Sequence, residues 1–308
     1  MPKIHIDKSI VIKATPEELY SKLRDFHNWT VWSPWLITEP EAKVSVNEDG
    51  KYFEWEGKYV GSGNMTVLKE NENSSIEYDL TFLKPWKSKA KTTFKFVPEE
   101  DGTRVHWIMD TSLPFFMFWM KKMMAAWIGM DLERGLSMLK SHTEEGTINS
   151  KLEIKGFSQY AGCQYVGLKT TATMDGLGEA MSKDYEKLMP YFMDGRQEHM
   201  DGHAFSIYHK WELVKGQVEY TAAVPVKSIP SDLLEGMFVG NVAPMKVHTI
   251  THTGTYAHSG NAWGAQMSRS RGQLFKTNKK IHPMEVYPNS PKDTPANELI
   301  SEVIFSVK

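Results

Sequence analysis

The sequence is nearly free of cysteine, since Cys163 is the single thiol among 308 residues. One cysteine excludes an intrachain disulfide and a zinc cluster built from cysteines. The opening stretch, MPKIHIDKSIVIKATPEELY, lacks an apolar core after its basic residues and therefore does not resemble an export signal. We predict a cytoplasmic protein.

The chain also lacks an excess of charge of either sign. Lys and Arg number 36 against 38 for Asp and Glu, which gives a net charge of −2. No strong field therefore attracts nucleic acid or an acidic membrane surface, and we predict no nucleic-acid partner. The phosphate-loop, dinucleotide, HExxH and GxSxG patterns are absent, so the sequence predicts no cofactor and no metal.

An uninterrupted apolar run is missing as well. The longest candidate, PFFMFWMKKMMAAWIGM at 114–130, is broken by Lys121 and Lys122. A spanning helix needs about 20 apolar residues, and two central lysines are costly there, so we predict no membrane insertion. A polar stripe through Lys122, Glu133 and Lys140 indicates one long amphipathic helix. We expect 114–130 to lie inside the folded first domain, with its first turns against a cavity wall or a domain interface.

The length indicates two domains, and the polar stretch SHTEEGTINSKLEIKGF marks their boundary, giving domains at 1–146 and 151–308. The first begins with an alternating strand and a short helix, whose start is marked by Thr15, Pro16 and Glu18. Five or six strand-like runs separated by turn signals follow, and then the long helix. The fold class is therefore α+β, with a helix-grip antiparallel sheet wrapped around a long C-terminal helix.

The first domain resembles the SRPBCC or START-like superfamily, in its polyketide cyclase/dehydrase-like branch, over nearly all of 3–144. The resemblance is carried by IVIKATPEELYSKLRDFHNWTVWSPW, GSGNMTVLKE, DGTRVHWIMD and GLSMLK. It implies a cavity for lipophilic molecules. The three tryptophans Trp29, Trp32 and Trp35 are either core or ligand contacts, with core packing favoured.

Some polar residues have a functional and a simpler interpretation. His106 and Asp110 share a strand face and could form an acid–base pair, although plain alternation across a half-solvated sheet explains them more simply. Gly61 and Gly63 in GSG indicate a strand bulge rather than a phosphate loop. His248 and His252 lie roughly 13 Å apart along a strand, too far to share one zinc ion.

The second half contains an internal repeat. Residues 151–226 and 235–307 each predict the order strand, strand, helix, strand, strand. Two such units can pair about a pseudo-twofold axis, and the groove between them is a natural ligand site. We predict a duplicated strand-strand-helix-strand-strand domain.

This half resembles the GyrI-like small-molecule-binding domain, which is also the effector-binding part of AraC-type and MerR-type regulators. The resemblance is carried by AFSIYHKW, EYTAAVPV, THTGTYAHSGNAW and MEVYPNSPKDTPANELISEVIFSV, and no helix-turn-helix segment precedes them. It implies binding of drug-like, often cationic and aromatic compounds by a buried glutamate and aromatic rings. The positions that match are Tyr208, Trp263, Glu285, Tyr287 and Glu302.

The residues agree in part with that implication. Ile300, Glu302 and Ile304 share one face of the last strand, so a carboxylate lies in an apolar row. An arriving cation would relieve the cost of burying it, but pairing with a lysine or arginine would do the same. We therefore expect a protein that senses or sequesters a small hydrophobic molecule. The more specific form of this hypothesis is that the molecule is a cation. The alternative is a hydrolase of reactive small molecules in which Glu302 and Glu285 are catalytic, and an interaction protein is a third hypothesis.

Overall fold

The computed structural model describes residues 2–308 and has the α+β class predicted from the sequence. The chain forms two compact units, one that ends at Asn149 and one that spans Ser150–Lys308. Each unit has its own antiparallel sheet, and each is described separately below.

The first unit is a seven-stranded sheet with one long helix. Its order in the sheet is β1-β7-β6-β5-β4-β3-β2, and the long helix α3 packs on β1 and β7. The sequence predicted this arrangement but did not predict β2, a short and largely exposed edge strand. The elements are β1 (Lys3–Ile12), α1 (Pro16–Leu23), α2 (Trp29–Trp32), β2 (Lys43–Val46), β3 (Tyr52–Glu56), β4 (Ser62–Asn71), β5 (Ser75–Lys84), β6 (Ser88–Glu99), β7 (Gly102–Ser112) and α3 (Lys121–Glu145).

Two local predictions in this unit are confirmed. The Glu18 amide donates to Thr15 Oγ1 at 3.3 Å, and the Thr15 amide donates to Glu18 Oε2 at 2.9 Å, which is a complete capping box. The GSG stretch forms a bulge, because the β4–β5 register shifts between Ser62 and Gly63. Gly61 is required there: its φ is +73°, and a Cβ would lie 2.3 Å from a carbonyl oxygen of the neighbouring strand.

Aromatic side chains form the core of the first unit. Trp29 and Trp32 are buried and pack mainly edge to face against Phe94 and Trp107, with ring centroids 5.7–6.2 Å apart. Offset and edge-to-face pairs of this kind add stability beyond the buried area. These two tryptophans are therefore core residues, as the simpler interpretation held, whereas Trp35 is only half-buried.

The prediction that 114–130 lies inside the first domain is wrong for its first turns. Residues Phe115–Met120 form a 3-10 helix, and its aromatic side chains point outward. Their exposed fractions are 77% for Phe115, 75% for Phe116, 62% for Phe118 and 68% for Trp119.

The exposure follows from which side chains of this segment face the core. Met117, where the segment is kinked, and Met120 are partly buried against the core. The aromatic side chains beside them project away from it. Within residues 2–308, no helix is both long enough and apolar enough to cross a membrane.

The second unit is an eight-stranded sheet with two helices, in the order β12-β9-β11-β10-β14-β15-β13-β8. Its elements repeat as strand, strand, helix, strand, strand, as the sequence predicted. They are β8 (Ser150–Tyr160), β9 (Cys163–Thr173), α4 (Leu177–Met193), β10 (Phe205–Glu212), β11 (Gln217–Val226), β12 (Met237–Val242), β13 (Met245–Gly254), α5 (Gly260–Arg271), β14 (Met284–Val286) and β15 (Ile300–Ser306).

The order of the strands is symmetric about the centre of this sheet. The first strand of each repeat crosses to the other one, since β8 pairs with β13 and β12 pairs with β9. The two repeats meet where β10 pairs with β14. The pseudo-twofold axis therefore passes between these two strands.

A buried carboxylate holds one loop of the first unit. Glu39 is buried, and its two oxygens accept hydrogen bonds from the backbone amides of Lys58, Tyr59 and Val60, each at 2.8 Å. Charge-assisted bonds of this kind are stronger than neutral ones.

We expect Glu39→Ala to destabilise the first unit by about 1 to 3 kcal/mol, because three partly buried amides lose their charged acceptor. Urea unfolding monitored by tryptophan fluorescence measures this loss. The exposed Glu41→Ala is the control and should change the unfolding free energy by less than roughly 0.5 kcal/mol. Equal effects of the two substitutions would show that Glu39 has no special role.

Candidate functional site

The candidate site lies at the centre of the second sheet, on the face covered by the helices. Directly opposed residues of antiparallel strands project from the same face. Ser206 of β10 opposes Glu285 of β14, which opposes Val303 of β15. Val303 packs in the same cluster as Leu188 of α4 and Trp263 of α5, so Glu285 points toward the layer of helices.

Glu285 is the chemical centre of this face. Its side chain is buried at 3% exposure, and Oε2 accepts hydrogen bonds from Tyr208 Oη at 2.9 Å and Trp263 Nε1 at 3.1 Å. Both donors are neutral, and no lysine, arginine or histidine forms an ion pair with Glu285 in the described part of the chain, residues 2–308. Burial raises the pKa of Glu285, and hydrogen bonds from Trp263, Tyr208, Ser301 and Ser259 oppose that rise.

Aromatic rings surround the carboxyl group. Tyr208 stacks on Trp211 with centroids 5.2 Å apart and meets Trp263 edge-on at 4.7 Å. Tyr287 contacts Tyr256 and Tyr185, the former at 5.7 Å and the latter at 5.8 Å. Burial and the nearby charge of Glu285 raise the pKa of Tyr256 to about 12. The negative charge of Glu285 therefore acts on Tyr256, another ring of this aromatic cluster.

The position of Trp263 is fixed by its neighbour on α5. Gln266 is buried and donates from Nε2 to the carbonyl oxygens of His248 and Val303, both at 2.8 Å. These bonds attach α5 to β13 and β15. Because Gln266 lies one turn after Trp263, they also hold the indole over Glu285.

The structure brings four of the five candidate residues together and leaves one out. Tyr208, Trp263, Glu285 and Tyr287 share the helix-covered face, whereas Glu302 projects from the opposite one. Glu302 opposes Val286 of β14, one position away from Glu285, and successive residues of a strand point to opposite faces. Its nearest hydrogen-bond donor is Thr251 Oγ1 at 3.5 Å.

The sequence analysis missed several residues of this wall, listed here with their elements: Met181 and Tyr185 on α4, Ser206 and Trp211 on β10, and Tyr256 just before α5. Ser206 was identifiable, because it precedes Tyr208 by two positions and shares its face. Met181 and Tyr185 are spaced by four on a helix, which places them on one face. Only the packing of the helices shows that this face meets Glu285.

The histidines of β13 have partners of their own. His248 Nδ1 lies 2.7 Å from Gln266 Oε1, and His252 Nε2 lies 3.0 Å from Ser150 Oγ. Burial, with a smaller contribution from His258, lowers the pKa of His252 to about 4. His252 is therefore neutral at physiological pH.

His106 and Asp110 in the first unit do not form the acid–base pair considered above. Each contacts a residue of β1 instead: His106 Nδ1 lies 3.0 Å from Asp7 Oδ1, and Asp110 Oδ1 lies 2.7 Å from His5 Nδ1. The antiparallel register of β1 and β7 explains these cross-strand pairs.

The first unit has a smaller candidate site, a cavity of about 50 Å³ between the sheet and the segment 29–36. Its wall is apolar and includes the aromatic residues Trp35, Phe53 and Trp55. This volume holds a few water molecules, since one water needs roughly 10–15 Å³ of such space. A lipophilic ligand therefore requires the cavity to widen.

Comparison with protein families supports the first resemblance. Residues 3–144 match the family described as polyketide cyclase/dehydrase and lipid transport. No curated protein matches the sequence.

Three solved structures that are similar to this chain share 13–18% identity with it. The EcmrR C-terminal domain has a TM-score of 0.40 and covers 52% of this chain and 98% of its own. EcmrR in a complex with DNA has a TM-score of 0.43, with 63% and 72% covered. SAV2435 bound to tetraphenylphosphonium has a TM-score of 0.39, with 51% and 94% covered. At these values the likeness says nothing about what this chain binds.

Glu285 should make the stability of the second unit depend on pH. Because its pKa is raised on folding, the folded state holds the proton more tightly than the unfolded state, and stability falls as pH rises through that interval. Glu285→Gln removes this titration. We expect the free energy of unfolding of the variant to rise relative to that of the wild type with increasing pH, by up to about 1.4 kcal/mol per pH unit. Urea unfolding of both proteins at several pH values measures the difference, and parallel curves would contradict it.

Proposed function

We propose that the second unit binds a small aromatic cation at Glu285, and so senses or sequesters it. The observation that carries this proposal is a buried carboxyl group whose hydrogen-bond donors are all neutral and whose surroundings are aromatic. A structural ion-pair partner would instead be expected beside a lysine or arginine.

The energetics favour a cationic ligand over a neutral one. An ionised carboxylate is expensive to bury without a counter-charge, and a bound cation supplies that charge. The faces of Tyr208, Trp211 and Trp263 add cation–π attraction to the same charge. A neutral ligand of the same shape gains the apolar contacts only.

Entry of a ligand requires side chains to move. Glu285, Tyr208 and Trp263 are all buried, so the carboxyl group is not open to solvent. Met181 of α4 lies against both Tyr208 Oη and Tyr287 Oη, with its sulfur 4.0 and 3.9 Å away. Because a methionine side chain is unbranched and adaptable, Met181 is the side chain around Glu285 that changes its conformation at the lowest energetic cost.

We expect tetraphenylphosphonium to bind more tightly than tetraphenylborate, an anion of nearly the same shape, because Glu285 attracts only the first. In Glu285→Gln the affinity for the cation should fall by about 1 to 3 kcal/mol, the range for a charge-assisted contact. Isothermal titration calorimetry of both probes against both proteins measures the change.

Glu302→Gln is the matched control for this experiment. It removes the same charge from the neighbouring strand but on the opposite face of the sheet, so it should leave the preference for the cation intact. A preference lost in Glu302→Gln and kept in Glu285→Gln would refute the assignment of Glu285. Circular dichroism of each variant establishes that the fold is retained.

The same site predicts a pH dependence of binding. Only the ionised carboxylate attracts the cation, and the pKa of Glu285 is raised by burial. Affinity for tetraphenylphosphonium should therefore fall as pH is lowered through that raised pKa, and Glu285→Gln should not show this fall. Titrations at a series of pH values distinguish the two, and identical pH profiles would argue against binding at Glu285.

A hydrolase is the second candidate, and the raised pKa of Glu285 favours it. A carboxyl group whose pKa lies closer to neutrality is better suited to general acid–base catalysis, and Tyr208 Oη is already hydrogen-bonded to it. Incubation with styrene oxide, a strained electrophile, followed by mass spectrometry for the diol, tests this. Turnover that is lost in Glu285→Gln would replace the binding role with a catalytic one.

The cytoplasmic location and the absence of a nucleic-acid partner stay predictions from composition and charge. An electrophoretic shift assay at low salt tests the second of these.

A further inference from the structure

We propose that the aromatic 3-10 helix of the first unit, with the lysines around it, docks on the surface of an anionic lipid membrane. Its side chains Phe115, Phe116, Phe118 and Trp119 are between 62% and 77% exposed. We call these four residues the aromatic patch. Large contiguous apolar surfaces of this kind are rare on monomeric proteins unless they bind something.

The patch is rigidly attached to the fold. Met117, Met120 and Met124 on its inner side pack against the core, and Leu113 just before it is buried. The helix is followed without a break by α3. The aromatic side chains are therefore presented outward by an ordered segment.

A second exposed aromatic residue lies at the same end of the sheet. Ala90, near the start of β6, pairs with Thr111, near the end of β7. The hairpin before β6 and the 3-10 helix after β7 therefore leave the sheet at the same end. This hairpin carries Trp86 at its tip, and Trp86 is also exposed. Two tryptophans thus emerge near each other, and tryptophan is the side chain most typical of the membrane–water interface.

The charge around the patch selects the kind of surface. The segments 80–98 and 111–130 contain no aspartate or glutamate. They carry the exposed lysines Lys87, Lys89, Lys121 and Lys122, and none of these four is in an ion pair in the portion of the chain that the structure describes. Against a net charge of −2 for the whole chain, these two segments carry only positive charge.

The combination of basic and aromatic side chains fits an anionic lipid surface better than a protein partner of neutral charge. Phenylalanine and tryptophan insert into the boundary between headgroups and acyl chains, and lysines contact anionic headgroups from above. The stems of Lys121 and Lys122 are long enough to lie along the apolar surface while their ammonium groups stay in water. Docking of this kind is peripheral and needs no spanning helix.

Vesicle sedimentation with the full chain tests the proposal. The protein should co-sediment with vesicles of phosphatidylglycerol and phosphatidylcholine but weakly with phosphatidylcholine alone, and raised salt should release it. Phe115→Ser/Phe116→Ser should lower partitioning roughly tenfold or more, because the inserted apolar area is lost. Lys121→Gln/Lys122→Gln should lower it only on the anionic vesicles.

Matched controls distinguish the patch from exposed surface in general. Leu68→Ala/Lys69→Gln changes an exposed apolar residue beside an exposed lysine on β4, away from the patch, and should partition like the wild type. Quenching of tryptophan emission by brominated acyl chains should be present in the wild type and lost in Trp86→Phe/Trp119→Phe. Equal sedimentation of the Phe115/Phe116 variant and the wild type would overturn the proposal.

If a second copy of the chain covers the aromatic patch instead of a membrane, the experiments give a different result. If sedimentation equilibrium shows a dimer that Phe115→Ser/Phe116→Ser dissociates, and no vesicle binds the protein, the patch is an interface between two copies and the membrane proposal fails. Because these tests concern the first unit, they are independent of the titrations at Glu285.

Discussion

The antiparallel pairing of β10 with β14 decides which side chains meet at the centre of the second unit. This pairing joins the two repeats and fixes Ser206 opposite Glu285. Alternation along the strands then sends Tyr208 and Tyr287 to the same face, under the helices. A shift of the register by one residue would turn Glu285 away from Trp263 and bring Val286 in its place.

The same alternation separates two glutamates that look equivalent in the sequence. Glu285 and Glu302 both lie in apolar strands, and both matched the expected pattern of a buried acid. The face of Glu302 follows from its pairing with Val286, and a pairing between strands 14 residues apart in the chain cannot be deduced from either strand alone. The apolar row around Glu302 made it the leading candidate for the cation-binding acid in the sequence, and only the strand pairing shows that it and Glu285 lie on opposite faces.

Local features were the most predictable part of this chain. The capping box of Thr15 and Glu18, the bulge at Gly61–Gly63 and the duplicated order of elements each depend on neighbouring residues or on a repeated pattern. The exchange of β8 and β12 between the repeats was not predictable, because the pattern of the elements is the same with or without it. The aromatic patch was missed for a related reason: apolar composition indicates burial, and only the folded structure shows that Met117 and Met120, rather than the aromatic residues, face the core.

The two units use aromatic residues in opposite ways. In the first, Trp29, Trp32 and Trp107 fill the interior by packing against one another, and the cavity that remains is small. In the second, Tyr208 and Trp263 both donate hydrogen bonds to one carboxyl group. A core that is satisfied by packing gains nothing from a polar ligand, whereas a buried acid with only neutral donors is stabilised by any cation that reaches it. This contrast is the reason for placing the proposed cation site in the second unit, because its interior contains a buried carboxyl group whose hydrogen-bond donors are all neutral.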